Sequence, residues 1–169
     1  MFIHKKYANP LAFDNTFKRD KKTIKAIVIH YTSNVGDTAK NNANYFKKIN
    51  TRYAGSHYFV DKKGKIYQSV KCSRMAYSVG GGKYNSGGKY YGIYTNANTI
   101  SIELCDCTKK EPYSTKEIKV IKKLIKHIRK HYPNAKKVIR HYDVNGKNCP
   151  MPLIKEKEWY KFLKLIGEK

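Results

Sequence analysis

The sequence contains no run of about 18 apolar residues, so none of its helices is expected to cross a membrane. Acidic residues are scarce: 12 Asp and Glu stand against 36 Lys and Arg, a formal net charge of +24. That imbalance either attracts a polyanion, whether nucleic acid, anionic membrane or acidic wall polymer, or reflects no more than a solvated surface with biased residue usage. Arginine is sparse beside lysine, which weakens a case for base-specific recognition, where planar bidentate donors are useful. The four cysteines, Cys72, Cys105, Cys107 and Cys149, form no CxxC pair. A zinc finger or thioredoxin-like site is therefore not indicated. Cys105 and Cys107 point to one face of a strand, an awkward geometry for a disulfide, so reduced thiols are expected. The segment MFIHKKYANPLAF lacks the apolar stretch and small-residue cleavage site of a secretion signal. HExxH, GxSxG, GxxxxGK[ST] and the deaminase HxE with PCxxC are all missing. Glu103 and Asp106 point to opposite faces of a strand, which does not suit paired-carboxylate glycosidase chemistry.

What remains suffices for one domain. The chain has 169 residues, and fifteen tyrosines and six phenylalanines supply bulky anchors. Residues 1–22 read as an arm packed on a domain that occupies 23–169. IKAIVIH, residues 24–30, is a strand ending on His30. Thr38 caps a helix to about Ile49 with Ala39, Ala43, Phe46 and Ile49 on one face. SHYFV, DKKG and KIYQSV form a hairpin with a glycine turn. Residues 78–92, SVGGGKYNSGGKYYG, have no period and read as a long loop. In TISIELC, residues 99–105, Ile100, Ile102 and Leu104 share one face while Ser101, Glu103 and Cys105 share the other. Ser114 and Glu117 make a capping box for a helix whose Ile118, Ile121, Ile125 and Ile128 recur every three or four residues up to Pro133. KKVIRH, residues 136–141, is a further strand. A last helix from about Lys155 carries Trp159, Phe162, Leu163 and Ile166. Alternating strands and helices predict a single α/β domain, a central mixed β-sheet flanked by α-helices.

Two of the six histidines, His30 and His141, terminate apolar strands, where sites in α/β folds gather. Cys149 follows His141 after a glycine-containing loop. Two neutral imidazoles and a thiolate give zinc three ligands and leave a fourth position open. The alternative is two loop-edge histidines and a free buried cysteine. Glu103 interrupts an otherwise apolar strand, and a buried carboxylate needs a partner or a function. It can act as a general base or pair with a lysine. Lys147, two residues before Cys149, is placed to stabilise an oxyanion near a metal if the backbone there is extended.

Taken in order, IVIHYTSN, SHYFVDKKGKIYQSV, YYGIYTNANTISIELC and HYDVNGKNCP resemble the zinc-dependent N-acetylmuramoyl-L-alanine amidases, with peptidoglycan recognition proteins in the same group. The resemblance runs from about Ile24 to Pro150 and is nearest to the autolysin and phage endolysin branch. It implies the amidase-like fold, one Zn²⁺ on His30, His141 and Cys149, Glu103 assisting water and Lys147 stabilising the tetrahedral intermediate. It also implies cleavage between the lactyl group of N-acetylmuramic acid and L-alanine in bacterial peptidoglycan. His57, Tyr58, Tyr77 and Asn98 are further candidates for substrate contact.

Two positions depart from the family pattern. Tyr77-Ser78-Val79-Gly80 replaces a Trp-His-x-Gly segment, and Ser56 stands where some phage members have a catalytic tyrosine. The resemblance places the protein at the cell wall, reached from the cytoplasm through a holin or another route, as a monomer or weak oligomer. The basic surface then suits anionic wall polymers and no specific nucleic acid. A binding-only protein of the same fold and a basic nucleic-acid module are the rival readings.

Overall fold

The β-branched run that begins at Ala26 builds the centre of a six-stranded sheet. The computed structural model describes residues 1–16, 18–48, 52–80 and 87–168. Its strands are β1 (Ile3–Lys5), β2 (Phe13–Asp14), β3 (Ala26–Tyr31), β4 (Tyr58–Val60), β5 (Ile66–Gln68), β6 (Met75–Ala76), β7 (Thr99–Leu104) and β8 (Lys137–Arg140). The helices are α1 (Ala39–Lys47), α2 (Thr115–His131), α3 (His141–Asn145) and α4 (Glu156–Ile166). The main sheet runs β1-β5-β4-β7-β3-β8, and β2 pairs with β6 in a small ribbon. Within the main sheet only the β4–β5 hairpin is antiparallel. The sheet is therefore mixed, as the alternation of strands and helices predicts.

Strand periodicity divides the sheet into two unlike faces. Ile27, Ile29, Ile100, Ile102, Leu104, Tyr58 and Val60 join one core with the apolar stripes of α2 and α4. Each isoleucine buried there contributes roughly 2 kcal/mol. On the other face, Ala26 and Val28 pack with Val79, Tyr94, Ile139 and Val144. Phe59 packs there with Ala39 and Cys105. His30 and Glu103 are register partners on neighbouring parallel strands.

The caps follow local chemistry. The Thr38 hydroxyl accepts from the Asn41 amide 3.1 Å away and starts α1. Ser114 and Glu117 close the capping box of α2. Ile49, the expected end of the first helix, lies outside the described residues, as do residues 81–86 of the glycine- and tyrosine-rich loop.

The first 22 residues do more than lie on the domain. β1 adds an edge strand parallel to β5, and β2 pairs with β6. Arg19, 6% exposed, donates to the carbonyls of Asn96, Thr99 and Cys72 at 2.7–2.8 Å. One guanidinium thereby ties the arm to the start of β7.

The structure differs from the sequence reading at residue 141. His141 does not end β8; it opens α3. The physical cause is the Arg140–Asp143 pair. Asp143 accepts from the Arg140 backbone amide at 2.9 Å and from its guanidinium at 2.7 Å and 3.2 Å, which folds the chain into a helical turn. Gly146, at φ +76°, stops that turn.

Candidate metal centre and active site

Three unrelated segments deliver three donor side chains to one point. His30 arrives at the end of β3, His141 on the first turn of α3 and Cys149 after the turn that follows α3. One ligand atom from each lies within 4.8 Å of the other two. The two imidazole centroids are 4.5 Å apart, and Cys149 Sγ is 3.8 Å from His30 Nδ1. All three residues are buried, at 2%, 4% and 4% exposure.

Burial sets the protonation of this group. It pushes the His30 imidazole well below its ordinary value of 6.5, with the nearby His141 adding to the effect. Burial, then Lys147, brings His141 down to about 4. Both rings are thus neutral and carry a lone pair near neutral pH. The Cys149 thiol is pushed up to about 12 by burial, with the Glu103 charge adding to it. A thiolate in this place needs a cation.

Buried polar atoms support the same reading. His30 Nε2 and His141 Nδ1 have no hydrogen-bond partner among the described residues. A buried nitrogen left in this way costs free energy, and a cation can take up such a lone pair. The other nitrogen of His141 is held: Nε2 lies 3.0 Å from the Asn145 side-chain amide, and the ring bonds the Val79 carbonyl. Nδ1 is then the ring nitrogen without a hydrogen-bond partner among the described residues. The donor set therefore fits a zinc ion.

Glu103 and Lys147 line the same cleft, which encloses about 680 Å³. Burial raises the Glu103 carboxyl to about 7, and Lys147 offsets part of this. Its Oε2 has no hydrogen-bond partner among the described residues. Tyr77 and Ser78 also reach the cleft, and α1 contributes a wall through Asn41, Tyr45 and Phe46. Gly88 anchors the far side of the glycine- and tyrosine-rich loop. A Cβ there would lie 2.4–2.6 Å from backbone atoms of Val144 and Asp143, so only glycine allows the contact. The Tyr90 amide, 2.8 Å from the Asp143 carbonyl, continues that contact.

The structure does not bring His57, Tyr58 or Asn98 to this cleft. His57 is fully buried, with ring nitrogens 2.9–3.1 Å from the Arg19 guanidinium, the Ser101 hydroxyl and the Arg74 carbonyl. Ser56 joins this network through the Ser101 hydroxyl, 3.0 Å away. Tyr58 faces the opposite side of the sheet and bonds the Cys72 thiol at 3.2 Å. Asn98 caps its own turn, accepting from the Thr95 amide and donating to the Ile93 carbonyl, each at 2.9 Å.

Arg140 and Asn145 went unnoticed in the sequence. Arg140, 1% exposed, donates to Asp143 and to the Leu153 and Ile154 carbonyls, and lies 5.3 Å from the Trp159 ring centroid. It fixes the stretch that carries His141 and Cys149. A lone arginine between an apolar strand and a candidate ligand, in a chain otherwise rich in lysine, was the available signal. Asn145 was readable as the residue one helical turn after His141.

Known proteins are similar to this chain in sequence and in fold. The chain is 31% identical over 139 residues to a probable N-acetylmuramoyl-L-alanine amidase of Bacillus licheniformis, covering 79% of this chain and 38% of that protein. It is 28% identical over 134 residues to the amidase CwlA of Bacillus subtilis, covering 79% and 45% respectively. It thus spans less than half the length of these curated relatives. Solved structures agree in fold. PlyL superposes with a TM-score of 0.75 at 24% identity, over 100% of this chain and 99% of that one. The catalytic domain of XlyA does so with a TM-score of 0.73 at 23% identity, over 99% and 100%. The N-acetylmuramoyl-L-alanine amidase family profile matches residues 20–152, a stretch that takes in His30, Glu103, His141, Lys147 and Cys149, and the chain belongs to that family.

Proposed function

We propose that this chain hydrolyses the amide bond between N-acetylmuramic acid and L-alanine in bacterial peptidoglycan, with residues 23–169 as the catalytic domain. The observation that carries the reading is the buried His30, His141 and Cys149 group, opening onto a cleft that also holds Glu103 and Lys147. His30, His141 and Cys149 would hold one Zn²⁺. When bound, the ion supplies Lewis acidity, polarising the scissile carbonyl and making water a nucleophile near neutral pH.

The remaining steps belong to the protein. Glu103 takes a proton from the attacking water, and its raised carboxyl value suits a base that must later return that proton. Lys147 faces the negative charge that builds on the carbonyl oxygen. Glu103 then passes the proton to the leaving amine of L-alanine. Tyr77 and the α1 wall orient the glycan and stem peptide beside the metal. Arg19 and Ser101 hold His57 as a brace behind β7 and keep it out of substrate contact. The site of action is the bacterial cell wall.

Digestion of purified peptidoglycan, read by mass spectrometry with and without a chelator, tests the reading. Free stem peptides that begin with L-alanine are expected, and they disappear on chelation. New reducing sugar ends, or cleavage that persists after the metal is stripped, would overturn it.

A further inference from the structure

A second cavity, of about 470 Å³, opens on the opposite face of the sheet from the metal ligands. Lys5 of β1, Lys21 of the arm, Lys71 of the β5–β6 connection and His127 and His131 of α2 line it. The three lysines come from three separate segments, the two imidazoles from a fourth, and all converge on one concavity. No acidic residue lines it among the described residues. The catalytic cleft, by contrast, balances Arg52 and Lys147 against Asp37 and Glu103. Among the described residues, Lys5, Lys21 and Lys71 form no ion pair.

Like charges gathered without counterions repel one another, and a concave, low-dielectric wall concentrates their field. The C-terminal end of α2 carries partial negative charge, so attraction for an anion must come from these side chains. Polar groups also line the cavity, beside Met1, Ile3 and Tyr132. The Tyr58 hydroxyl, the Cys72 thiol and the Gln68 amide meet there, with Gln68 Nε2 3.4 Å from the Tyr58 oxygen. Such a site suits a ligand with both an anionic group and hydroxyls. His131 Nδ1 is bound to the His127 carbonyl at 2.9 Å, which leaves its Nε2 edge available.

We propose that this cavity binds a phosphodiester-linked polyol of the bacterial wall, which would hold the enzyme on its insoluble substrate while the opposite face cleaves. The proposal rests on the amidase reading for its location. Polymer binding is measured without reference to hydrolysis, so the failure of either reading is distinguishable from the failure of the other.

The test compares two triple variants of equal net charge. One carries Lys5→Gln, Lys21→Gln and Lys71→Gln. The other carries Lys119→Gln, Lys123→Gln and Lys161→Gln on exposed helical faces. Binding to polyglycerol phosphate is measured by calorimetry at fixed salt. The cavity variant is expected to lose about tenfold or more in affinity and the control less than about twofold, since each phosphate-contacting cation contributes separately. Equal losses would overturn the proposal in favour of general charge. So would single-stranded DNA binding as tightly as the polymer, or walls stripped of phosphate polymer retaining the protein fully. In the unmodified protein, the ring resonances of His127 and His131 are expected to shift saturably as polyglycerol phosphate is added. Absence of that shift would also overturn the proposal, whatever the stability of the variants.

Discussion

Replacing Arg140 with methionine removes a buried charge while keeping an unbranched chain against Trp159. Two costs follow from the geometry. Asp143, 3% exposed, loses the guanidinium that lies 2.7 Å and 3.2 Å from its oxygens and keeps the residue-140 backbone amide, 2.9 Å away, and one cation, Lys89, 3.9 Å away and 59% exposed. The Leu153 and Ile154 carbonyls lose their charged donor. Breaking one side of a buried ion pair costs about 3–5 kcal/mol. The carbonyl losses overlap with that figure rather than add to it, because one group makes all the contacts. A loss of about 4 kcal/mol in a domain of this size lowers the melting temperature by roughly 8–16 °C. Thermal unfolding in the presence of a chelator isolates this effect from metal binding. Zinc affinity, measured by competition with a chromophoric chelator, is expected to fall about 10–100-fold, because Arg140 positions the stretch between two ligands. Adding Asp143→Asn should recover part of the lost stability, since the unpaired charge is gone and the backbone contact to residue 140 remains possible. A single variant melting within about 2 °C of the parent, or a double variant less stable than the single one, would refute the reasoning.

Three further outcomes follow. Cys149→Ser should leave the purified protein with far less than one bound zinc by elemental analysis and reduce peptidoglycan release to background; full metal content would remove Cys149 from the ligand set. Glu103→Gln should retain its zinc yet lose about 10²–10⁴ in rate, the range of a general base. In the parent protein the rate should rise with pH as Glu103 ionises, with a midpoint at or below about 7, because a bound cation joins Lys147 in favouring the carboxylate; an unchanged acid limb in the variant would count against this role. Glu117 is fully buried and raised to about 8 by that burial, against an ordinary value of 4.5. The folded state holds this proton more tightly than the unfolded state, so its effect is absent below pH 4.5 and becomes destabilising as pH rises to about 8. Glu117→Gln should flatten that decline and gain up to about 5 kcal/mol at alkaline pH, read by urea unfolding across pH; an identical pH slope would sink the assignment.

The strands, the helices and their caps were legible because they depend on local pattern. Ser114 with Glu117, the isoleucines of α2 and the alternation in β7 each declare themselves within a few residues. His30 and Glu103 were legible as exceptions, polar groups in apolar strands. Their pairing was not, because parallel register is set by contacts 73 positions apart. Tyr58 could have been excluded from the cleft by strand alternation alone. It shares a face with Val60, which packs under the helices, while Phe59 faces the other way. His57 could not have been excluded, because its burial depends on Arg19 arriving from the arm. The extended path expected from Lys147 to Cys149 also gave way to tertiary constraint: the Cys149 amide turns back onto the Lys147 carbonyl, 2.6 Å away.

The register between β3 and β7 bears on how such a catalyst can diversify. His30 and Glu103 sit side by side on adjacent strands, so their separation follows from the strand spacing of about 4.8 Å. No insertion in a surface loop can lengthen that interval, and no loop substitution can shorten it. The walls of the cleft, drawn from α1 and the segment around Tyr77, carry no such constraint on their length. New wall chemistries are therefore accessible through loop exchange alone, with the distance between His30 and Glu103 inherited unchanged from the backbone ladder.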